Sequence, residues 1–270
     1  MRGEPDRYLA ATLAVAEARP ALAAIAAFAA ELARIPATVS EPMLGDIRLQ
    51  WWRDVLAAGH ADGRSGHPIA DALIEARDRF RLLPALLEAM IDARELDLSG
   101  GIPQDDAGLL AYLDATEGHP FRLSLAALGA VAGEAEPLAA AAGRAYGLAR
   151  ALGRLPMLRH NGGLPLPAER LRAAGLEPER LGASPPPAEV LTAVARVAAE
   201  LQQMSRDALD DVRARQRTLP RRLRAALLPL AMVEPYFRVQ SGRSLLVEMA
   251  EISPLARATR IGMAHLTGRL

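Results

Sequence analysis

The stretch Val39-Ser40-Glu41-Pro42-Met43-Leu44-Gly45-Asp46-Ile47-Arg48-Leu49-Gln50-Trp51-Trp52-Arg53-Asp54 holds both tryptophans of the chain side by side. Pro42 suits the first turn of a helix, where a missing N–H goes unnoticed. Turned at ~100° per residue, the segment places Leu44, Ile47, Trp51, Trp52 and Val55 around one broad apolar face. Arg48 falls in the middle of that face. A guanidinium among indoles is paired with a buried carboxylate, stacked on an indole, or turned into a cavity to hold an anion. Glu31, Glu41, Asp114 and Glu117 are the candidate carboxylates.

Outward from this segment, apolar positions keep a helical period almost throughout, and no run of β-branched residues bounded by turn signals suggests a sheet. A short helix is expected from about Asp6 to Glu17. A second has Pro20 in its first turn and stops near Pro36, and a third runs from Pro42 to about Gly59. The stretch Ile69–Leu96 should be kinked or split by Pro84. Asp105 or Asp106 can cap the next helix, which runs to about Ala132 with a disturbance at Gly118-His119-Pro120. Further helices are expected from Pro137 to Leu158, from the Ser184–Pro187 linker to Arg215, from Pro220 to Val239 and from Pro254 to Leu270. The reading is an all-α bundle in a single domain spanning residues 1–270.

Composition agrees and narrows the function. The 270 residues are 51% hydrophobic and 24% charged, enough to bury a large core and too apolar for intrinsic disorder. About a fifth are alanine, the strongest helix former. The 32 basic residues, all arginine, cancel 32 acidic ones, so no global field draws the chain to nucleic acid. Without cysteine there is no disulfide, thiolate metal site or thiol nucleophile. Two acids and a proline precede any apolar run at the N-terminus, unlike a secretory signal, which makes the cytoplasm the expected location. The apolar run Pro20–Ala30, fenced by Arg19 and Glu31, is shorter than the roughly 18–20 residues of a membrane span and reads as a buried helix.

Familiar catalytic signatures are missing: no Walker loop, strand-linked GxGxxG, GxSxG or HExxH occurs. His60, His67, His119, His160 and His265 lie in no metal-ligand spacing, and each reads as a surface or helix-end imidazole. Asp207, Asp210 and Asp211 share one helix face, as magnesium-binding aspartates do. The interleaved Arg206, Arg213, Arg215 and Arg217 favour a solvated, ion-paired face instead.

Several fragments occur together in a telling order. Ala27-Phe28 lies in an Ala-rich helix, followed by Leu49-Gln50-Trp51-Trp52-Arg53, by Tyr112 with Gly118, by Gly143-Arg144-Ala145-Tyr146, and by the loop Gly162-Gly163-Leu164-Pro165-Leu166-Pro167. In this the chain resembles the squalene/phytoene synthase family over nearly its whole length. The resemblance implies the isoprenoid-synthase fold, helices around a deep central cavity, and in active members the head-to-head joining of two prenyl diphosphates on magnesium held by two aspartate-rich motifs. An allylic diphosphate ionises only when its departing charge is neutralised. The first motif should follow Phe28, where this chain has Ala33, Arg34, Ile35, Pro36 and Ala37; the second should precede Gly162, where it has Arg154 and Leu158. No catalytic or metal-binding residue is therefore assigned, and magnesium is expected only if an active transferase reading holds. Ala16-Glu17-Ala18-Arg19, Glu31-Leu32-Ala33 and Val39-Ser40-Glu41 are similar to a subgroup that also lacks the aspartates, the phytoene-synthase-like assembly factor of respiratory complex I and its bacterial relatives.

On the second helix, Leu22, Ile25, Phe28, Leu32 and Ile35 take one arc. Ala23, Ala26, Ala30, Ala33 and Ala37, with Arg34 at the edge, take the arc where the family's aspartates would face the cavity. Ala26, Ala30, Ala33, Ala37 and Trp51 are thus expected to form cavity wall. The alanines either let neighbouring helices approach and fill the cavity or line an apolar tunnel for a lipid. Arg34, Arg48, Arg150 and Arg154 are the candidate anion site. Arg150 and Arg154 lie one turn apart and need an anion or carboxylate between them, and Arg34 would meet them across the cavity. Three functions follow in order: a non-catalytic scaffold with a protein partner such as a respiratory-complex subunit, a binder of prenyl or other lipid phosphates, and an active prenyltransferase. The C-terminal segment Ser253–Leu270 bears Arg257, Arg260 and Arg269 and no acid, and is expected to pack on the bundle with its arginines outward, allowing at most weak peripheral contact with the inner face of a membrane.

Overall fold

The computed structural model describes residues 3–39, 41–59, 63–160, 164–249 and 251–270, and all their regular structure is helical. Helix α1 (Pro5–Thr12) leads into α2 (Arg19–Thr38) and α3 (Pro42–Ala58). Then come α4 (Pro68–Phe80), α5 (Pro84–Asp92), α6 (Arg94–Leu98) and α7 (Asp106–Leu113). A π turn (Asp114–Gly118) joins α7 to α8 (His119–Ala127), followed by α9 (Ala132–Gly153), α10 (Leu155–His160) and α11 (Ala168–Ala173). The long α12 (Ala188–Arg215), a 3-10 segment (Arg221–Met232), α13 (Val233–Gln240) and α14 (Pro254–Thr267) complete the bundle.

Proline and capping residues set most of these boundaries. Pro42, Pro68, Pro84 and Pro254 each open a helix, and the Asp105 carboxylate accepts from Gly108 N at 2.7 Å to cap α7. Three expectations are corrected. The first helix ends at Thr12, five residues early, and Arg19 Nε donates to the Ala14 carbonyl at 2.8 Å across the connection. Pro36 lies inside α2 instead of ending it. The segment after Pro220 is a 3-10 helix, with Pro229 denying an α ladder one of its donors. The expected disturbance near Pro120 takes the form of the π turn, since Pro120 offers no N–H to the Thr116 carbonyl.

Helix α9 is the axis of the bundle, packed against α8, α12, α13 and the π turn. Its Ala139, Ala142, Ala145 and Ala149 are buried, and small side chains let its neighbours come close. Helix α2 packs on α1, α4 and α8 with Leu22, Ile25, Phe28, Leu32 and Ile35 inside. By length and composition alone α2 could cross a membrane, yet half of its most apolar window is buried in the bundle.

Helix α3 is turned by about a quarter turn from the expected orientation, with Trp52 kept inside. Its core face is Gly45, Leu49, Trp52 and Leu56, whereas Leu44, Ile47, Arg48 and Trp51 point outward. Gly45 gives Leu98 of α6 room on that side, since a Cβ there would lie 2.3 Å from Leu98 Cδ2 and the leucine would have to shift. Trp52 then meets Phe28 edge-on at 5.0 Å. Helix α14 does pack on the bundle, burying Ile261 and Ala264 against the 3-10 segment and α1. Its arginines are not all outward: Arg257 turns in to Asp6, and Arg260 Nε donates to the Ala231 carbonyl at 3.2 Å.

The closest backbone approach pairs two glycines. A Cβ on Gly143 of α9 would stand 2.4 Å from Gly118 Cα and 2.6 Å from Gly118 N in the π turn. Backbone cannot yield as a flexible side chain would. Gly143→Ala is expected to destabilise the protein by about 1–3 kcal/mol, read as a lowered melting temperature, while Gly262→Ala, with open space around its Cβ position, should leave the melt in place.

Candidate functional site

The π turn and α9 bring charges into the centre of the bundle. Glu117 Oε2 lies 2.8 Å from Arg7 Nη1, and Glu117 Oε1 lies 3.0 Å from Arg150 Nη1. Arg7 and Arg150 share a second carboxylate, Glu4, at 2.9 and 2.5 Å. Arg150 also donates to the Gly3 carbonyl at 3.1 Å, and Arg7 to the Glu117 carbonyl at 3.0 Å. Arg7, Arg150 and Glu4 are buried and Glu117 is nearly so, lining the central cavity, and each charge is held by its neighbours. Both guanidiniums also lie over the Tyr146 ring, Arg7 at 4.9 Å and Arg150 at 5.2 Å.

The network extends to the far end of the chain. Asp6, fully buried, accepts from Tyr146 Oη at 2.8 Å and Tyr236 Oη at 2.6 Å and pairs with Arg257 of α14. Toward α6, Arg94 pairs with Asp97 at 2.9 Å, and Tyr112 Oη donates to the same carboxylate at 2.8 Å. Burial alone would push the Glu117 carboxyl up; Arg150, Arg7 and Arg94 outweigh it and hold it at about 2. The Tyr146 phenol is pushed well up by burial and then by Asp6. Arg154 is the exception: burial and then Arg150 lower its pKa against the weaker pull of Glu4 and Glu117, and it is in direct contact with no carboxylate among the described residues.

These groups surround a central cavity of about 60 Å³, bounded by Ala33, Pro36, Tyr112, Glu117, Arg150 and Arg154. Small-molecule sites occupy roughly 300–1,000 Å³, and this one has room for little more than a few waters.

The squalene/phytoene synthase family model matches residues 1–240. The chain belongs to the squalene/phytoene synthase family. Over 124 residues it is 31% identical to "NADH dehydrogenase (ubiquinone) complex I, assembly factor 6" of Homo sapiens and 32% to that of Bos taurus. The match covers 46% of this chain and 37% of each relative, so it spans little more than a third of the curated relatives' length. Among solved structures, a dehydrosqualene synthase in complex with ligand superposes with a TM-score of 0.79 at 14% identity, covering 99% of this chain and 93% of that one. Squalene synthase HpnC from Alicyclobacillus acidocaldarius gives 0.68 at 16% identity over 96% and 88%. Both are isoprenoid-synthase folds, as the sequence led us to expect.

Within this family fold the structure locates each residue singled out from sequence. Arg150 and Arg154 line the central cavity together with Ala33. Arg34 does not meet them; it pairs with Glu31 at 3.0 Å and lines a separate cleft between α2 and α3 with Arg48 and Trp51. The four arginines therefore form two sites. Arg48 is exposed and donates to Thr38 Oγ1 at 2.7 Å, so none of the proposed carboxylates pairs with it. Ala26 is buried, Ala30 packs against Gly3, and Ala37 is exposed. Of the histidines, His67 caps α4 and His60 lies outside the described residues. Asp210 and Asp211 pair with Arg213 and Arg215, and Asp207 accepts from Gln203. Sequence reasoning missed Glu4, Asp6 and Arg7. The one signal pointing to them was Tyr146 with Arg150, two polar-tipped side chains one turn apart on an alanine helix.

The family's magnesium does not fit these residues. Where the family's motifs would supply aspartates, the cavity wall has Ala33, Pro36, Arg154 and Leu158; the two carboxylates that do line it, Asp97 and Glu117, are held by Arg94 and by Arg7 and Arg150, and no group of three or more His, Asp or Glu among the described residues could hold a metal.

Glu117→Gln should destabilise the fold by about 3–5 kcal/mol, because Arg7 and Arg150 then lose a buried partner. Glu117 has a lower pKa in the folded than in the unfolded chain, where a glutamate titrates near about 4.3. Its stabilisation is thus present above that value and drains as pH falls through about 2. Chemical denaturation from pH 5 to pH 2 should show a steeper loss in the parent than in the variant.

Proposed function

We propose that the protein is a non-catalytic member of its family, a scaffold that engages a protein partner during assembly of a respiratory complex. The observation that carries this reading is the central cavity: where an active member needs acidic metal ligands and space for two prenyl chains, this chain has Ala33, Pro36, Arg154 and Leu158 at the motif positions, its two lining carboxylates Asp97 and Glu117 paired with arginines, and about 60 Å³ of space. The paired network of Glu4, Arg7, Glu117 and Arg150 occupies the middle of the bundle. Similarity to the complex I assembly factor supports the partner class, a subunit of a respiratory complex. The same reading puts the protein in the cytoplasm, at or near the inner face of the membrane that holds such a complex, with no cofactor. Incubation with farnesyl or geranylgeranyl diphosphate and magnesium should release no diphosphate above background; release abolished by EDTA would establish the alternative, an active head-to-head transferase.

A second reading, lipid-phosphate binding, is favoured by one residue. Arg154 lines the cavity without a carboxylate partner among the described residues, and a guanidinium can give an anion two parallel hydrogen bonds. If the cavity opens to a prenyl diphosphate or phospholipid headgroup, calorimetric binding should persist in EDTA and weaken at least about tenfold in Arg154→Glu. No binding, or equal binding by the variant, removes this reading.

A further inference from the structure

The outward face of α3 is built unlike ordinary surface. Met43, Leu44, Ile47 and Trp51 are 62%, 41%, 60% and 39% exposed, and the last three lie on adjoining turns of one face. Arg48 borders this stripe on the side of α2 and, among the described residues, donates to the Thr38 hydroxyl alone. Its neighbours are treated differently: Arg34 is held by Glu31, and Arg53 by Asp92 and Glu95. Arg48 has no carboxylate partner among the described residues, yet it lines a cleft of about 280 Å³ whose other walls include both indoles.

We propose that this face docks an amphipathic helix of a protein partner, its apolar row on Leu44, Ile47 and Trp51 and a carboxylate beside that row on Arg48. The inference rests on the scaffold reading and supplies the surface that reading requires. Met, Trp and Arg are the residue types enriched where proteins meet, and a Trp–Arg pair is characteristic of the few contacts that dominate binding. Charge separates a protein helix from a bilayer. Asp46 and Asp54 cancel Arg48 and Arg53 along α3, so there is no cationic field for anionic lipid, whereas one free guanidinium matches one carboxylate.

Trp51 and Trp52 are the only tryptophans, so intrinsic fluorescence of the full chain reports on this face directly. The probe is a synthetic tryptophan-free helical peptide with a leucine row and one flanking glutamate, compared with the same peptide carrying lysine instead. The glutamate peptide should shift the emission saturably and bind at least about tenfold more tightly than the lysine peptide. Arg48→Glu should invert that preference and Ile47→Asp should abolish binding, with both variants melting like the parent because the positions are exposed. Equal affinity for the two peptides, or no inversion in Arg48→Glu, overturns the proposal. So does self-association in sedimentation, or co-sedimentation with phosphatidylglycerol vesicles, if Ile47→Asp removes it. Diphosphate release would refute the scaffold reading whatever the peptides do, and failed peptide discrimination would remove this surface alone.

Discussion

Glu117 is shared between Arg150 and Arg7 in the middle of the bundle, and the rest of the structure is arranged so that this carboxylate can be there. Burying one charge costs several kcal/mol, and only near-complete pairing recovers it. The π turn places Glu117 against α9, and the glycine contact between Gly118 and Gly143 sets how closely the two can approach. The N-terminal segment brings Glu4 and Arg7 to the same point, and Asp6 links it to Tyr146, Tyr236 and Arg257. Four distant parts of the chain thus meet through charge, and removing any one of them leaves the remaining buried ions with fewer opposite charges than their burial requires.

That arrangement bears directly on function. A fold able to enclose prenyl chains uses its interior here for paired charges and alanine packing, with about 60 Å³ left over. An isoprenoid chain and two diphosphates need more volume and a concentration of anionic metal ligands that these walls lack. On the surface, the α3 stripe gathers exposed indole, methionine and aliphatic side chains on one helix, which is the ground for the docking proposal.

How far the sequence could be read depended on how local each determinant is. Prolines 42, 84 and 254 and the Asp105 cap act within a few residues, and the helices they open begin where expected. The pairing rule for Arg150 and Arg154 was half legible: Arg150 has the carboxylates it required, from Glu117 and Glu4, while nothing local indicated that Arg34 would face a different cleft. Helix α3 misled because apolar residues run around most of it, and the side that is buried meets partners remote in sequence, Phe28 at Trp52 and Leu98, 53 residues on, at Gly45. Arg7 pairs with a residue 110 positions on, and no periodicity announces such a partner.

The central claim is that paired charges fill the cavity in the working protein. A high-resolution crystal structure grown with magnesium and a non-hydrolysable farnesyl thiodiphosphate tests it most directly. The account predicts Glu117 still bridging Arg7 and Arg150, with no chain density between α2 and α9. An isoprenoid chain lying there, with Glu117 drawn away from Arg150, would contradict it.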